Sequence, residues 1–177
     1  MYTWKSYYVV QADYQHWANE ALFAALAHLK PETLTADEGL PCRSIHHTLD
    51  HLLGVHQLWL ARLQGADPQI GFRAIQHPVW RELLAALRHE TRHLEEWLEA
   101  RPEPFFEGEV QFTQGEAGRQ TLWVRDALIQ LFTRAAQLRG QVAAVACQLG
   151  APNPAMDYLD YRREMAKLLD EARRAPR

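Results

Sequence analysis

The chain has 177 residues, 47% of them apolar and 23% charged, with nine glycines, nine prolines, two cysteines and nine histidines. That balance fits a single globular domain spanning 1–177 and excludes a disordered, fibrous or disulfide-framed chain. A net charge of −3 argues against broad nucleic-acid binding, which needs surplus Lys and Arg, and leaves histidine, a metal ligand that titrates near neutrality, as the anomaly.

The opening M-Y-T-W-K-S-Y-Y-V-V lacks the long apolar run of a signal peptide, and no later stretch is long and uncharged enough to span a membrane. Cys42 and Cys147 lie far apart with no C-x-x-C pair, so a reduced, cytoplasmic chain that contacts no membrane is expected. Cys147, in the run V-A-A-V-A-C, reads as a small core residue.

Helical periodicity dominates the rest. A first helix is predicted from Trp4 to Leu29, ended by Pro31 and the polar T-A-D-E-G. A second begins after the N-cap candidate Ser44 and carries Ile45, Leu49, Leu52, Val55, Trp59 and Leu63 on one face, stopping at Gly65. A third runs from Pro78, suited to a first helical turn, to Ala100 with a leucine stripe. The alternating, Gly-punctuated stretch 102–118 reads as a short strand or hairpin. A fourth helix spans Thr121 to Leu149, closed by Gly150, and a shorter fifth covers Asp157 to Ala172. Four long amphipathic helices must bury their stripes on one another, so the fold expected is an all-α, up-down four-helix bundle. The six tryptophans fall mostly on inward stripes and read as core or dimer contacts.

His89-Glu90-Thr91-Arg92-His93 matches H-E-x-x-H, in which two histidines hold zinc and the glutamate is a general base. At about 100° per residue, His89 lies roughly 180° and His93 about 140° from the centre of the stripe formed by Trp80, Leu84, Leu87, Thr91, Leu94 and Leu98. Both point to solvent, and no third ligand follows in the sequence. The motif reads as a charged exposed face.

The second helix holds His46, His47, His51 and His56. His47 and His51 are i,i+4 neighbours that could in principle clip a metal; His51 sits at the edge of the apolar stripe, where a hydrogen-bonded core-edge histidine is the other reading, and His47 points further out. The segments Y-Q-H-W-A-N-E-A-L (14–22) and S-I-H-H-T-L-D-H-L-L-G-V-H-Q-L-W-L-A-R-L-Q-G (44–65) resemble the first two helices of the DinB/YfiT-like superfamily. The resemblance continues through V-Q-F-T-Q-G (110–115), R-G-Q-V (139–142) and L-G-A-P-N-P-A-M-D-Y-L-D-Y (149–161), in order and spacing over nearly the whole chain.

That resemblance implies the same four-helix bundle, commonly a homodimer packed through helices. It also implies a nickel or zinc site of three histidines, one from helix two and an i,i+4 pair from helix four. His51 matches the helix-two ligand. The helix-four positions hold Arg134 and Leu138, with Gln137 beside the second; a guanidinium has no lone pair to give and a hydrocarbon has none at all. No metal is therefore expected at the family position. Arg134 lies within about 80° of the inward residues Leu131, Leu138, Val142, Val145 and Leu149, where a cation requires a partner. Asp50 and Glu20 are candidate structural partners; the functional reading gives Arg134 a small anionic ligand such as a carboxylate. Arg139, Gly140 and Gln141 retain the family's R-G-Q, Gly140 reading as a site of close helix packing. The expected function is that of a DinB-like small-molecule binder or non-catalytic homologue with a cleft near His51 and Arg134, helped by His47. The alternative is a metal- or thiol-dependent transferase or hydrolase that uses His51 as a base or a non-family nickel or zinc site at His47 and His51.

Overall fold

The computed structural model describes residues 3–68 and 74–174. Its elements are α1 (Trp4–Leu26), α2 (Pro31–Thr35), α3 (Ile45–Leu63), α4 (Trp80–Glu99), β1 (Glu109–Thr113), β2 (Arg119–Trp123), α5 (Val124–Gln148) and α6 (Tyr158–Arg174). Thr3 and Ser6 close a capping box at the start of α1, and the Glu103 carboxylate accepts from the amides of Trp4 (2.7 Å) and Lys5 (3.1 Å). The first-turn N–H groups that a helix leaves orphaned are thereby satisfied, and the turn after α4 is tied to α1. Ser44 caps α3 by accepting from the His47 amide at 3.1 Å, an interaction typically worth about 1 kcal/mol.

Several boundaries differ from those predicted. The first helix stops at Leu26, and Pro31, instead of ending it, takes the first-turn position of α2. Pro78 lies before α4, whose N-cap is Val79, and Thr121 belongs to β2. The expected hairpin is present, with Val110 opposite Leu122 and Phe112 opposite Gln120.

Around the bundle the order is α1–α4–α3–α5, with α1 and α3 diagonal. Asp13 meets Arg92 and Glu20 meets Arg88, so α1 and α4 are antiparallel. Tyr8 reaches the Arg125 carbonyl while Gln15 and Asn19 reach Arg139, so α1 and α5 run parallel. The start of α3 lies beside the start of α4, His46 against Trp80. The helix directions are thus up, down, down, up, so the bundle is all-α as expected but its helices do not alternate as an up-down chain would, since α3 and α4 start at the same end. Residues 64–68 sit by the hairpin at one end, and 76–77 sit beside His46 and Asp50 at the other. The core is continuous from Leu22, Leu26 and Leu49 to Leu87, Leu131 and Leu138. The hairpin covers one end through Val110 and Phe112, and Trp59 meets Phe112 edge-on at 5.4 Å. The α6 helix lies on α1 through Tyr161, whose hydroxyl donates to Asp13 at 2.7 Å.

One packing expectation holds in part and two are overturned. Trp59 is buried and Trp80 and Trp97 pack half-buried against the core, while Trp4 and Trp123 are exposed, because each stands at an element end beyond the bundle's interior. Cys147 is half-buried, not core. Gly140 faces outward with nothing within 4 Å of where a Cβ would stand, so it permits no close helix approach. Among the described residues no helix is long and apolar enough to cross a membrane.

Candidate functional site

The first two turns of α3 present chemistry on two sides. On one, the buried Asp50 carboxylate accepts from the amides of Gln76 (2.8 Å) and His77 (2.9 Å) and from His77 Nδ1 (3.1 Å). The buried His46 donates through Nε2 to the His77 carbonyl at 2.7 Å. Asp50 is therefore the clamp of segment 76–77 and not the partner of Arg134. Glu20, the other expected partner, is held by Arg88 in a two-pronged pair at 2.6 and 3.0 Å. The carboxylates point away from the seam because each already has a closer basic or amide donor.

On the other side, His51 faces α5, where Arg134 Nη2 approaches its Nε2 at 3.4 Å. The second arm of the guanidinium, Nη1, donates to Gln137 Oε1 at 2.8 Å. Arg134 is half-buried and forms no ion pair with a carboxylate among the described residues. Burial holds the His51 imidazole below its ordinary range, and the charges of Arg134 and His47 push the same way. A neutral ring that accepts at Nε2 carries its proton on Nδ1. His47, one turn earlier, is half-buried, and its Nε2 has no hydrogen-bond partner among the described residues.

A further residue of this site escaped the sequence reading. Cys42 lies in the tight turn between Leu40 and Arg43 that precedes α3, half-buried, hydrogen-bonded with Thr48 and within reach of the Arg134 charge. No helical period marks it, since it precedes the helix; its only signal is its place two residues before the Ser44 cap. Burial pushes the Cys42 thiol up more than Arg134 and Thr48 pull it down, so it is a weak nucleophile at neutral pH. In a Cys147→Ser background, the alkylation rate of Cys42 is expected to rise with a midpoint above that of a free cysteine. Arg134→Gln should move that midpoint higher still. A midpoint below the free thiol's, or one that Arg134→Gln lowers, would contradict this electrostatic account.

The metal that the resemblance implies is not matched by these residues. The Nε2 lone pair of His51 faces a cation, Arg134 itself stands at one helix-four ligand position, and the other, Leu138, is 1% exposed in the core. Among the described residues no three His, Cys, Asp or Glu side chains group so as to hold a metal ion. The H-E-x-x-H histidines sit where the wheel puts them: His89 and His93 are exposed, their rings 6.0 Å apart, while Glu90 turns inward.

Arg139 is the other polar residue of α5 that departs from a surface role. It is 1% exposed, with Nη2 on Gln15 Oε1 at 2.8 Å and Nη1 on Asn19 Oδ1 at 3.3 Å. Burial lowers its pKa to about 10. His56, also in the core, has neither ring nitrogen hydrogen-bonded among the described residues.

In comparison with known proteins, the model of the DinB family matches residues 1–173. No curated protein and no solved structure matches the chain.

Proposed function

The chain belongs to the DinB family, and we propose that it binds a small organic anion, a carboxylate above all, at Arg134 and His51, in place of the metal that the resemblance implies there. The observation that supports this is the half-buried guanidinium beside a neutral imidazole, 3.4 Å away, with no carboxylate partner among the described residues. A guanidinium removed from water without an anion is costly, and its planar fork suits a carboxylate's two oxygens. The imidazole, kept neutral, adds no second charge but can hydrogen-bond the ligand's oxygen through a tautomer change. His47 completes the polar wall, and the working unit is a homodimer that should sediment at twice the chain's mass.

Acetate and benzoate titrated into the wild-type protein should give saturable binding that weakens at least tenfold in Arg134→Gln. Equal affinities, or no binding to either protein, would overturn the reading. Metal analysis of protein purified without chelator should give well under one equivalent. Stoichiometric nickel or zinc that disappears in His51→Ala would restore the metal-dependent alternative.

A further inference from the structure

The seam between α3 and α5 that holds His51 and Arg134 continues towards the hairpin. Eight residues on along α3 stands Trp59, and eight residues back along the antiparallel α5 stands Asp126; the two line one cavity of about 420 Å³. Gln130, midway between Asp126 and Arg134, lines it as well. Positions 126, 130 and 134 run along one strip of α5, as do 51, 55 and 59 along α3, so the cavity and the His51–Arg134 contact lie on the same seam. At 1.5 Å of rise per residue, Asp126 is about 12 Å from Arg134 along α5.

The walls of this cavity are chemically divided. Trp59, Phe112 and Leu122 give it an apolar floor. Arg62 also contributes, but its charge is committed: the guanidinium lies 4.2 Å over the Phe112 ring and 5.0 Å from that of Trp59. Its Nη2 donates to the Thr113 carbonyl at 3.2 Å, and its Nε lies 3.6 Å from Asp67. Asp126 is exposed and forms no ion pair among the described residues. Its place in the first turn of α5 is favourable in itself, and it lines this cavity with no hydrogen-bond or ion-pair partner among the described residues.

We infer that the ligand is an elongated zwitterion, with a carboxylate on Arg134, an apolar body along the seam over Trp59 and Leu122, and a primary ammonium on Asp126. This rests on the anion-site reading above and names the class of molecule that site takes: an ω-amino acid of about eight chain atoms, or a short apolar peptide with free ends. A cavity with an apolar lining and a few placed polar groups is the usual form of a small-molecule site, and two opposite charges at fixed separation select length as well as charge.

Calorimetric titration with 8-aminooctanoate, octanoate, 4-aminobutanoate and butanoate provides the test. In the wild-type protein 8-aminooctanoate should bind at least tenfold tighter than octanoate, whereas the four-carbon pair, too short to span, should differ little. Asp126→Asn should remove the advantage of the amino group while leaving octanoate binding unchanged, and Arg134→Gln should weaken both eight-carbon ligands. Octanoate binding as tightly as 8-aminooctanoate, with both lost in Arg134→Gln, would overturn the extended ligand and leave the anion site standing. An equal amino-group advantage in the four-carbon pair would overturn it too. If none of the four binds, or Arg134→Gln changes nothing, both readings fall.

Discussion

Arg139→Met is expected to lower the stability of the folded chain by about 3 kcal/mol, since two buried amide oxygens lose their donor and each such orphan costs roughly 1–3 kcal/mol. Methionine keeps most of the arginine stem and refills the space with a flexible thioether, so the loss reports the polar contacts more than a cavity. The contacts in question are the 2.8 Å bond to Gln15 and the 3.3 Å bond to Asn19, all three side chains being 0–1% exposed. For a domain of this size a change of that magnitude moves Tm by about 6–12 °C. Urea unfolding should show a lower midpoint with an unchanged slope.

The same cluster predicts a rescue. No carboxylate accompanies Arg139 among the described residues; its partners are the amides of Gln15 and Asn19 and the side chain of Tyr14, and burial drags the guanidinium to about 10. Replacing a buried charged group together with its partners by apolar residues of similar volume is often neutral or stabilising. The triple variant Gln15→Leu, Asn19→Leu, Arg139→Met should therefore recover at least half of what Arg139→Met loses. A single variant within about 0.5 kcal/mol of wild type, the usual range of a surface substitution, would show that the network contributes little.

Much of this architecture was readable from the sequence. The Ser44 cap, the leucine stripe of α4 and the Gly-punctuated hairpin each rest on a local rule of spacing or turn chemistry, and each stands in the structure. The outward aim of His89 and His93 follows from helix angle alone, whereas the meeting of His51 with Arg134 was implied by the resemblance, which puts both at its ligand positions. What periodicity could not supply was the choice of partner. Asp50 sits beside His51 in the sequence, but on a helix adjacent residues diverge by about 100°, so its carboxylate serves Gln76 and His77 while His51 serves the seam. Cys42 was invisible because it lies outside any repeating element. Gly140 was misread because a glycine in a helix suggests a close approach, although at about 100° per residue it lies roughly opposite the inward Leu138 and Val142. Gln15, Asn19, His56 and Arg139 lie on three different helices, and nothing in any one helix announces that their polar groups converge.

His56 carries the second large expectation, a loss of stability in mild acid. Burial, with a smaller push from the Arg139 charge, lowers its pKa from 6.5 to about 3. In the unfolded chain the ring takes up a proton as pH falls below 6.5, whereas in the folded chain it stays neutral down to about 3. The unfolded state thus binds more protons across that window, and stability, fully present above 6.5, falls by about 1.4 kcal/mol for each pH unit below it. Between pH 7 and pH 5 the contribution comes to about 2 kcal/mol. His16 and His51, half-buried and also held low by burial, act in the same direction, so the wild-type curve alone does not isolate His56. The variant His56→Leu does. Leucine is of similar size and leaves behind neither of the two ring nitrogens that lack a hydrogen-bond partner among the described residues, so at pH 7 it should be at least as stable as wild type. At pH 5 its advantage should be larger by about 2 kcal/mol. Urea melts of both proteins at pH 7, 6 and 5 measure the difference directly, and parallel stability curves would mean that His56 takes up its proton in the folded core as readily as in the unfolded chain.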